Sequence, residues 1–310
     1  MKFLCICLSP AIDATVRMDA WPTDGCIVKD AVDTFAPGGK AVNVARWLAK
    51  RGASVACGGL LGEDNAVPFE KELAKYGIED RFVRVPGATR VNEMFVTPQG
   101  SFKVNRACEW KGASCASLTS GKDSPRIAPA SQLASLGGYA SPFSAEGFDV
   151  VVLSGSLPKG WPADTYRHLV AAAKGCGAKV VLDASGKALS EGVKAHPDVI
   201  KPNAEECAAL VGFVPRTRDE FRRVTAELKG CCGCPIVSDG AAGCWFDGEF
   251  VAAPEVDVLD TTAAGDTLLA EWCLSGDVCR AVAAGSAACT MPGGEPPDLA
   301  LVERLARNMV

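Results

Sequence analysis

Short, continuous apolar runs separated by helical segments constrain this chain more than any other feature. The runs Phe3–Leu8, Ser54–Gly58, Val150–Leu153, Val180–Leu182, Val199–Lys201 and Pro235–Ser238 read as strands. They are apolar without alternation, as strands buried on two faces must be. Between them, Val42–Arg51, Val67–Tyr76, Ala163–Ala173, Ala204–Val211, Arg218–Lys229 and Val302–Met309 read as helices. Strands alternating with helices predict an α/β fold with a parallel sheet covered on both faces. In such sheets, ligands gather at the carboxyl ends of the strands.

Two regions break the rhythm. Residues about 11–36 and 89–107 alternate like strands but have no helix beside them. The clearest piece is Glu93–Thr97, a Pro98-Gln99-Gly100 turn, and Ser101–Asn105. They are expected to form a small second sheet, or lid. Residues 111–147 are rich in Ser, Ala and Gly and give weak signals. No internal repeat is evident.

Composition excludes several classes. Apolar residues make up 48% and charged residues 22% of the 310 positions, enough for a sizeable core. The net charge of −5 and the lack of a basic stripe argue against a nucleic-acid binder. The apolar start, Met1–Ser9, is too short for a signal peptide and reads as a first buried strand. No run approaches the ~18 apolar residues of a membrane helix, so a cytoplasmic protein without a membrane partner is expected. The fifteen cysteines are scattered. The densest cluster, Cys231-Cys232-Gly233-Cys234, lacks a second Cys or His pair, and reduced thiols are the preferred reading.

The chemistry concentrates in small-residue loops after strands. Asp260-Thr-Thr-Ala-Ala-Gly-Asp266 precedes the apolar helix start Leu268–Leu274. Small residues at 263–265 let helix-start amides face an anion, and Asp266 beside them is placed to act as a base in phosphoryl transfer. For these seven residues alone, an N-cap Asp on an ordinary helix stands equally well. Pro37-Gly38-Gly39-Lys40-Ala41-Val42-Asn43 offers close backbone approach, a cation and an amide for hydroxyls, or simply a glycine turn into a helix. Asp13 follows the first strand and suits sugar hydroxyls. Arg90 opens the second lid segment and suits a phosphate, although a solvated Arg is the usual fate of a lone one. Ser154-Gly-Ser156 follows another strand. Asn203 and Glu206, in Lys201-Pro-Asn203-Ala-Glu-Glu206, share one face of a helical turn. They suit Mg²⁺ held directly or through water, or a helix cap. Val237-Ser238-Asp-Gly240-Ala-Ala-Gly243 suits triphosphate oxygens.

In this order the motifs resemble the ribokinase-like (PfkB) carbohydrate kinases over essentially the whole chain. The resemblance implies a single domain, residues 1–310. Its fold would be a three-layer α/β/α ribokinase-like domain with a mostly parallel central sheet and a small β-sheet lid, which in that family often doubles as a homodimer clasp. It implies Asp266 as base, with Ala263, Ala264 and Gly265 supplying anion-hole amides. Asp13, Gly38, Gly39, Lys40 and Asn43 would hold the sugar. Asn203 and Glu206 would organise Mg²⁺ and the ATP triphosphate, and Ser238, Gly240 and Gly243 would line the nucleotide site. Asn43-Val-Ala-Arg46 and Thr89-Arg90-Val-Asn92 look like the branch that phosphorylates sugar phosphates. There Arg90, Lys29 and Ser156 would meet the phosphate already present. Fructose 1-phosphate is the leading substrate; tagatose 6-phosphate and fructose 6-phosphate are the alternatives.

The chain departs from that pattern at four places. Ala stands at 41 and 263 where Gly is common, and Ala263 is tolerable only at negative φ. Glu271 occupies a usually small position. Trp272–Ala281 is about ten residues short, near where the adenine would sit. A degenerate member that binds without turnover is the competing reading, and retention of Asp266 favours the enzyme. A dinucleotide-binding oxidoreductase is weak, since no G-x-G-x-x-G follows the first strand.

Overall fold

The structure, a computed structural model, describes residues 1–25, 27–29, 31–110 and 143–309. Most of the weakly patterned stretch 111–147 therefore lies outside the described residues.

Thirteen strands form two sheets among the described residues. In chain order they are β1 (Lys2–Cys7), β2 (Ala11–Arg17), β3 (Val32–Gly38), β4 (Ser54–Gly62), β5 (Glu79–Val85), β6 (Val91–Thr97) and β7 (Gly100–Val104). There follow β8 (Val150–Ser154), β9 (Lys179–Asp183), β10 (Val199–Ile200), β11 (Cys234–Ser238), β12 (Gly243–Phe246) and β13 (Glu249–Ala252). The large sheet has the order β13-β12-β11-β10-β9-β8-β1-β4-β5. From β5 through β11 all pairings are parallel; β12 and β13 add an antiparallel edge.

Strand pleating distributes the apolar runs between two cores. Leu4, Ile6 and Leu8 join Val151 and Leu153 on one face, under the helices Thr165–Gly175 and Arg218–Leu228. Phe3, Cys5 and Cys7 join Val150 and Val152 on the other. There the helices Lys40–Lys50, Val67–Tyr76, Ala264–Ser275, Val278–Ala288 and Leu299–Arg307 cover the sheet. Each fully buried large aliphatic side chain contributes roughly 1.5–3 kcal/mol. A strand apolar at every position is thus what a three-layer α/β/α arrangement requires, and three layers are found.

The helix Leu299–Arg307 begins three residues before its expected start, because Asp298 accepts from the Ala300 amide and caps it. The hairpin β12–β13 was missed from sequence. Asp247 (φ 52°) and Gly248 (φ 87°) make its two-residue turn, and an Asp-Gly pair between apolar runs is the signal that would have found it. The thiols of the described cysteines are free.

The second sheet has four strands in the order β3-β2-β6-β7. It comes from the two regions expected to stand apart, but only residues 11–17 and 32–38 of the first are strands. Its pleat gives it two characters. Asp13, Asn92 and Lys103 lie toward the carboxyl ends of the large sheet, on the side where Ala36 approaches Gly293. The opposite side carries Phe35, Phe95 and Phe102, with Trp21 tilted against Phe102 and Phe102 stacked on Phe95.

β1 and β4 meet closely at Cys7 and Gly59. Gly59 has φ +134°, and a Cβ there would lie 1.8 Å from the Cys7 carbonyl oxygen. Gly59→Ala therefore adds a clash to backbone strain and should cost about 3–5 kcal/mol in urea unfolding. Gly87→Ala, at φ +99° with no atom near its Cβ, carries strain alone and should cost about 1–2 kcal/mol. Equal losses in the two variants would contradict the packing argument.

Candidate active site

β1 sits where the strand order reverses: the chain builds outward through β4 and β5 on one side and through β8 to β11 on the other. β8 and β9 end at the carboxyl edge on Ser154 and Asp183, the loops after β10 and β11 bring Asn203 and Ser238 there, and the segments after β3 and β13 bring Lys40, Asn43 and Asp266 into the same crevice.

Two helices point their N-termini into this crevice. The helix Lys40–Lys50 starts after Gly39 at φ 120° with no side-chain cap. A Cβ on Gly39 would lie 2.9 Å from the Cys7 sulfur, and one on Gly38 2.2 Å from Asp13 Oδ2. Both glycines are therefore required for the small-sheet strand β2, β1 and the helix to converge. The helix Ala264–Ser275 starts after Ala263, also uncapped by a side chain. Ala263 has φ −110°, a conformation any L-residue adopts. Ala41, at 0% exposure, is an ordinary buried helical residue. Neither substitution for glycine distorts the backbone.

Asp260 builds the turn before the second helix. Its Oδ1 accepts from the Thr262 amide (2.8 Å) and hydroxyl (2.6 Å), and its Oδ2 from the Gly293 amide (3.0 Å). The Ala264 N–H donates to Thr261 O at 3.3 Å. First-turn amides beyond it have no intrahelical partner and add to the positive end of the dipole. Lys201 lies against this turn. A Cβ on Gly265 would come 3.2 Å from Lys201 Nζ, so glycine there keeps a buried cation beside the amides.

Asp266 is not an N-cap. It is the third residue of the helix, 4% exposed, and its Oδ2 accepts a hydrogen bond from Asn43 Nδ2 at 2.8 Å. Burial pushes its carboxyl up to about 6, with the Asp183 carboxylate adding to the rise; Lys40, Asn43 and Lys201 oppose it. Asp183 is wholly buried at the end of β9. It receives Lys40 Nζ (2.9 Å), Lys201 Nζ (3.6 Å) and Ser154 Oγ (3.3 Å). Burial alone would raise its carboxyl, yet Lys201 and Lys40 hold it below the ordinary range. The Asp183 charge in turn pushes the Lys40 ammonium up. Two carboxylates whose environments separate their acidities, flanked by two lysines, suit proton abstraction beside a bound anion.

The remaining motif residues distribute as follows. Asp13 receives Asn92 Nδ2 (3.0 Å) and lies 3.4 Å from Lys103 Nζ. Arg90 spends donors on the carbonyls of Ser9, Pro10 and Arg106, which braces the loop between β1 and the small sheet. Lys29 and Ser156 are exposed, and neither joins this network. Asn203 and Glu206 form a reciprocal capping box on the helix Ala204–Val211, at 2.7 and 2.9 Å. A bridge from Asn203 to Ser238 ties them to the next loop. Ser238, Gly240 and Gly243 line a cavity of about 680 Å³ that continues to Ala264 and Gly265. Val256, Val258 and Val282 give it an apolar wall.

Asp183, Lys201 and Lys103 were not singled out from sequence. Asp183 ends an apolar strand, which is the same signal that drew attention to Asp13. Lys201 opens the Lys-Pro-Asn motif without a local sign of its own role, and Lys103 depends on a register that sequence does not give.

The Glu271 departure has a structural explanation. It points away from the crevice, wholly buried, and accepts from Trp47 Nε1 (2.8 Å), Arg51 Nε (3.0 Å) and Arg280 Nε (2.6 Å). The shortened segment is a two-residue link. Gly276 closes one helix at φ 68°, and Asp277 caps the next by accepting from Arg280 N. That next helix still lines the cavity through Val282 and Gly285.

Residues 8–293 match the pfkB family carbohydrate kinase. This chain belongs to that family. It is a sugar kinase, transferring a phosphoryl group to a hydroxyl. A 1-phosphofructokinase of Rhodobacter capsulatus is 34% identical over 87% of this chain and 82% of the relative. One of Haemophilus influenzae is 32% identical over 86% and 81%. The crystal structure of phosphofructokinase-2 from Escherichia coli in complex with substrates and products superposes with a TM-score of 0.81 at 23% identity, covering 100% of this chain and 99% of that one. The likeness to it shows the ribokinase-like fold.

The raised carboxyl sets a pH dependence. A base at Asp266 would have to be ionised; on that role kcat/KM should climb with pH, tenfold per unit below about 6, and level off above it. Asn43→Ala removes a bond to the ionised form and should move this limb upward. A limb lying near pH 4, or one unmoved by Asn43→Ala, would contradict the electrostatic account.

Proposed function

We propose that this kinase phosphorylates the free primary hydroxyl of a ketose phosphate, with fructose 1-phosphate converted to fructose 1,6-bisphosphate at the expense of ATP. The observation that carries the reading is the buried Asp266 carboxylate, held by Asn43 at the mouth of an uncapped helix. The curated relatives are named 1-phosphofructokinase, which supports the choice of substrate.

Asp266 takes the proton of the acceptor hydroxyl as its oxygen attacks the γ-phosphorus. The bond from that phosphorus to the bridging oxygen breaks and ADP leaves. Amides around Ala263, Ala264 and Gly265, with Lys201 behind them, meet the charge on the migrating group. Asp13, Gly38, Gly39, Lys40 and Asn43 hold the sugar, with Asn92 and Lys103 beside Asp13. Arg90, with Lys29 and Ser156, is assigned to the existing phosphate; its bonded guanidinium still has N–H groups beyond those given to three carbonyls. ATP fills the cavity lined by Ser238, Gly240 and Gly243.

Magnesium fits this donor set as a phosphate-borne ion. Among the described residues no cluster of three His, Cys, Asp or Glu offers a protein cage. Mg²⁺ keeps its waters and takes one or two carboxylates plus phosphate oxygens, and Glu206 beside Asn203 supplies such a carboxylate. The ion would neutralise triphosphate charge.

The whole chain is proposed as one kinase domain whose small sheet serves as its lid. The lid's outer side exposes Phe35 (67%) and Phe102 (52%), and a second copy of this chain is the occupant we propose for it. No helix among the described residues is long and apolar enough to cross a membrane. A cytoplasmic setting agrees with ATP use and with the free thiols.

A substrate panel tests the reading. With ATP and Mg²⁺, fructose 1-phosphate should exceed unphosphorylated fructose in kcat/KM by at least roughly tenfold, the share of one charge-assisted contact, and should also be used in preference to fructose 6-phosphate and tagatose 6-phosphate. Preference for an unphosphorylated sugar would overturn it. Separately, Glu206→Gln should raise the Mg²⁺ needed for half-maximal rate and lower kcat, leaving sugar-phosphate binding without nucleotide unchanged. If Glu206 serves only its capping box, the Mg²⁺ dependence will stay as in the wild type.

A further inference from the structure

Asn43, Trp47 and Arg51 are spaced by four along one helix and its C-cap, and so form one stripe. Asp266 and Glu271 lie on the helix that this stripe faces. Asn43 meets Asp266 at the crevice end, and Trp47 and Arg51 meet Glu271 farther along. The order is the same on both helices, so they run parallel, with both N-termini at the crevice. Four residues advance a helix by about 6 Å and five by about 7.5 Å, so the two sets of contacts share one register.

We infer that Glu271 is a positioning residue that sets the register of the two helices and so holds Asn43 against Asp266. This rests on reading Asp266 as the base. Glu271 adds a directional tie between two helices whose parallel dipoles repel and whose apolar contacts are non-directional. A carboxylate near the C-terminal end of its own helix is itself unfavourable. Its wholly buried charge is met by Arg51 from the neighbouring helix and Arg280 from the following one. Arg280 is itself tied to Glu303 of the last helix.

The readout is the acid limb of kcat/KM, because the Asn43 bond stabilises ionised Asp266. The other groups facing Asp266 are Asp183, Lys40 and Lys201; of these only Lys40 lies on either helix. Loss of the latch should raise the limb by about half a pH unit or more and lower kcat roughly tenfold through misplacement of the base.

Glu271→Gln tests this, and Trp47→Phe supplies a milder variant that keeps the ring and removes only the indole donor. Arg280→Gln is the control. It cuts a comparable buried ion pair but leaves Trp47 and Arg51 on Glu271. The inference expects lower melting temperatures in all three, with the acid limb displaced in Glu271→Gln and Trp47→Phe and fixed in Arg280→Gln. If Glu271→Gln does not fold, Trp47→Phe decides alone. A wild-type limb in both helix-tie variants would reduce Glu271 to a stabilising charge and overturn the inference. Full activity in Asp266→Asn would instead remove the base assignment on which it stands.

Discussion

The contact between Asn43 and Asp266 joins helices from opposite ends of the chain, and the crevice is organised around it. A carboxylate this deeply buried is costly unless its charge is matched or shared. Here the matching comes from an amide, two lysines and the open ends of two helices. A second carboxylate, Asp183, keeps those lysines in place and keeps Asp266 from being fully stabilised as an anion. The result is a carboxylate that is ionised at neutral pH yet still drawn to a proton.

The sheet supplies the geometry. Reversal of strand order at β1 gathers the ends of five parallel strands into one crevice. The glycines at 38, 39 and 265 then let the small sheet, β1 and the Lys201 cation approach more closely than side chains permit. The departures from the family pattern lie outside this convergence or are harmless within it. Ala263 takes a negative φ, Glu271 faces away from the crevice, and the shortened segment is a capped turn.

The layers were legible because parallel strands buried on both faces have a signature of their own. A run such as Val150–Leu153 admits few other placements. The helix start after Ala263 was legible because a run of small residues leads into an apolar helical segment, and the structure leaves that start without a side-chain cap. What was not legible depends on partners far away in sequence. Nothing local marks Asp183 as the residue that two lysines share, or Glu271 as the partner of Trp47 and Arg51, some 220 positions earlier. The pairing of Asn203 and Glu206 was legible as a cap: the spacing is that of a capping box, and the cap is formed. The hairpin β12–β13 was missed because its short strands flank a loop read only for its chemistry.

The central claim is that Asp266 accepts the proton of the attacking hydroxyl. Single-turnover measurement of phosphoryl transfer by Asp266→Asn, alongside calorimetric binding of ATP and of sugar phosphate, tests it most directly. The amide keeps the shape and can still meet Asn43, but it cannot take the proton. The account predicts transfer slowed by on the order of 10²–10⁴-fold with both affinities within a few fold of wild type. Transfer within threefold of wild type, or a loss explained wholly by weakened binding, would contradict it.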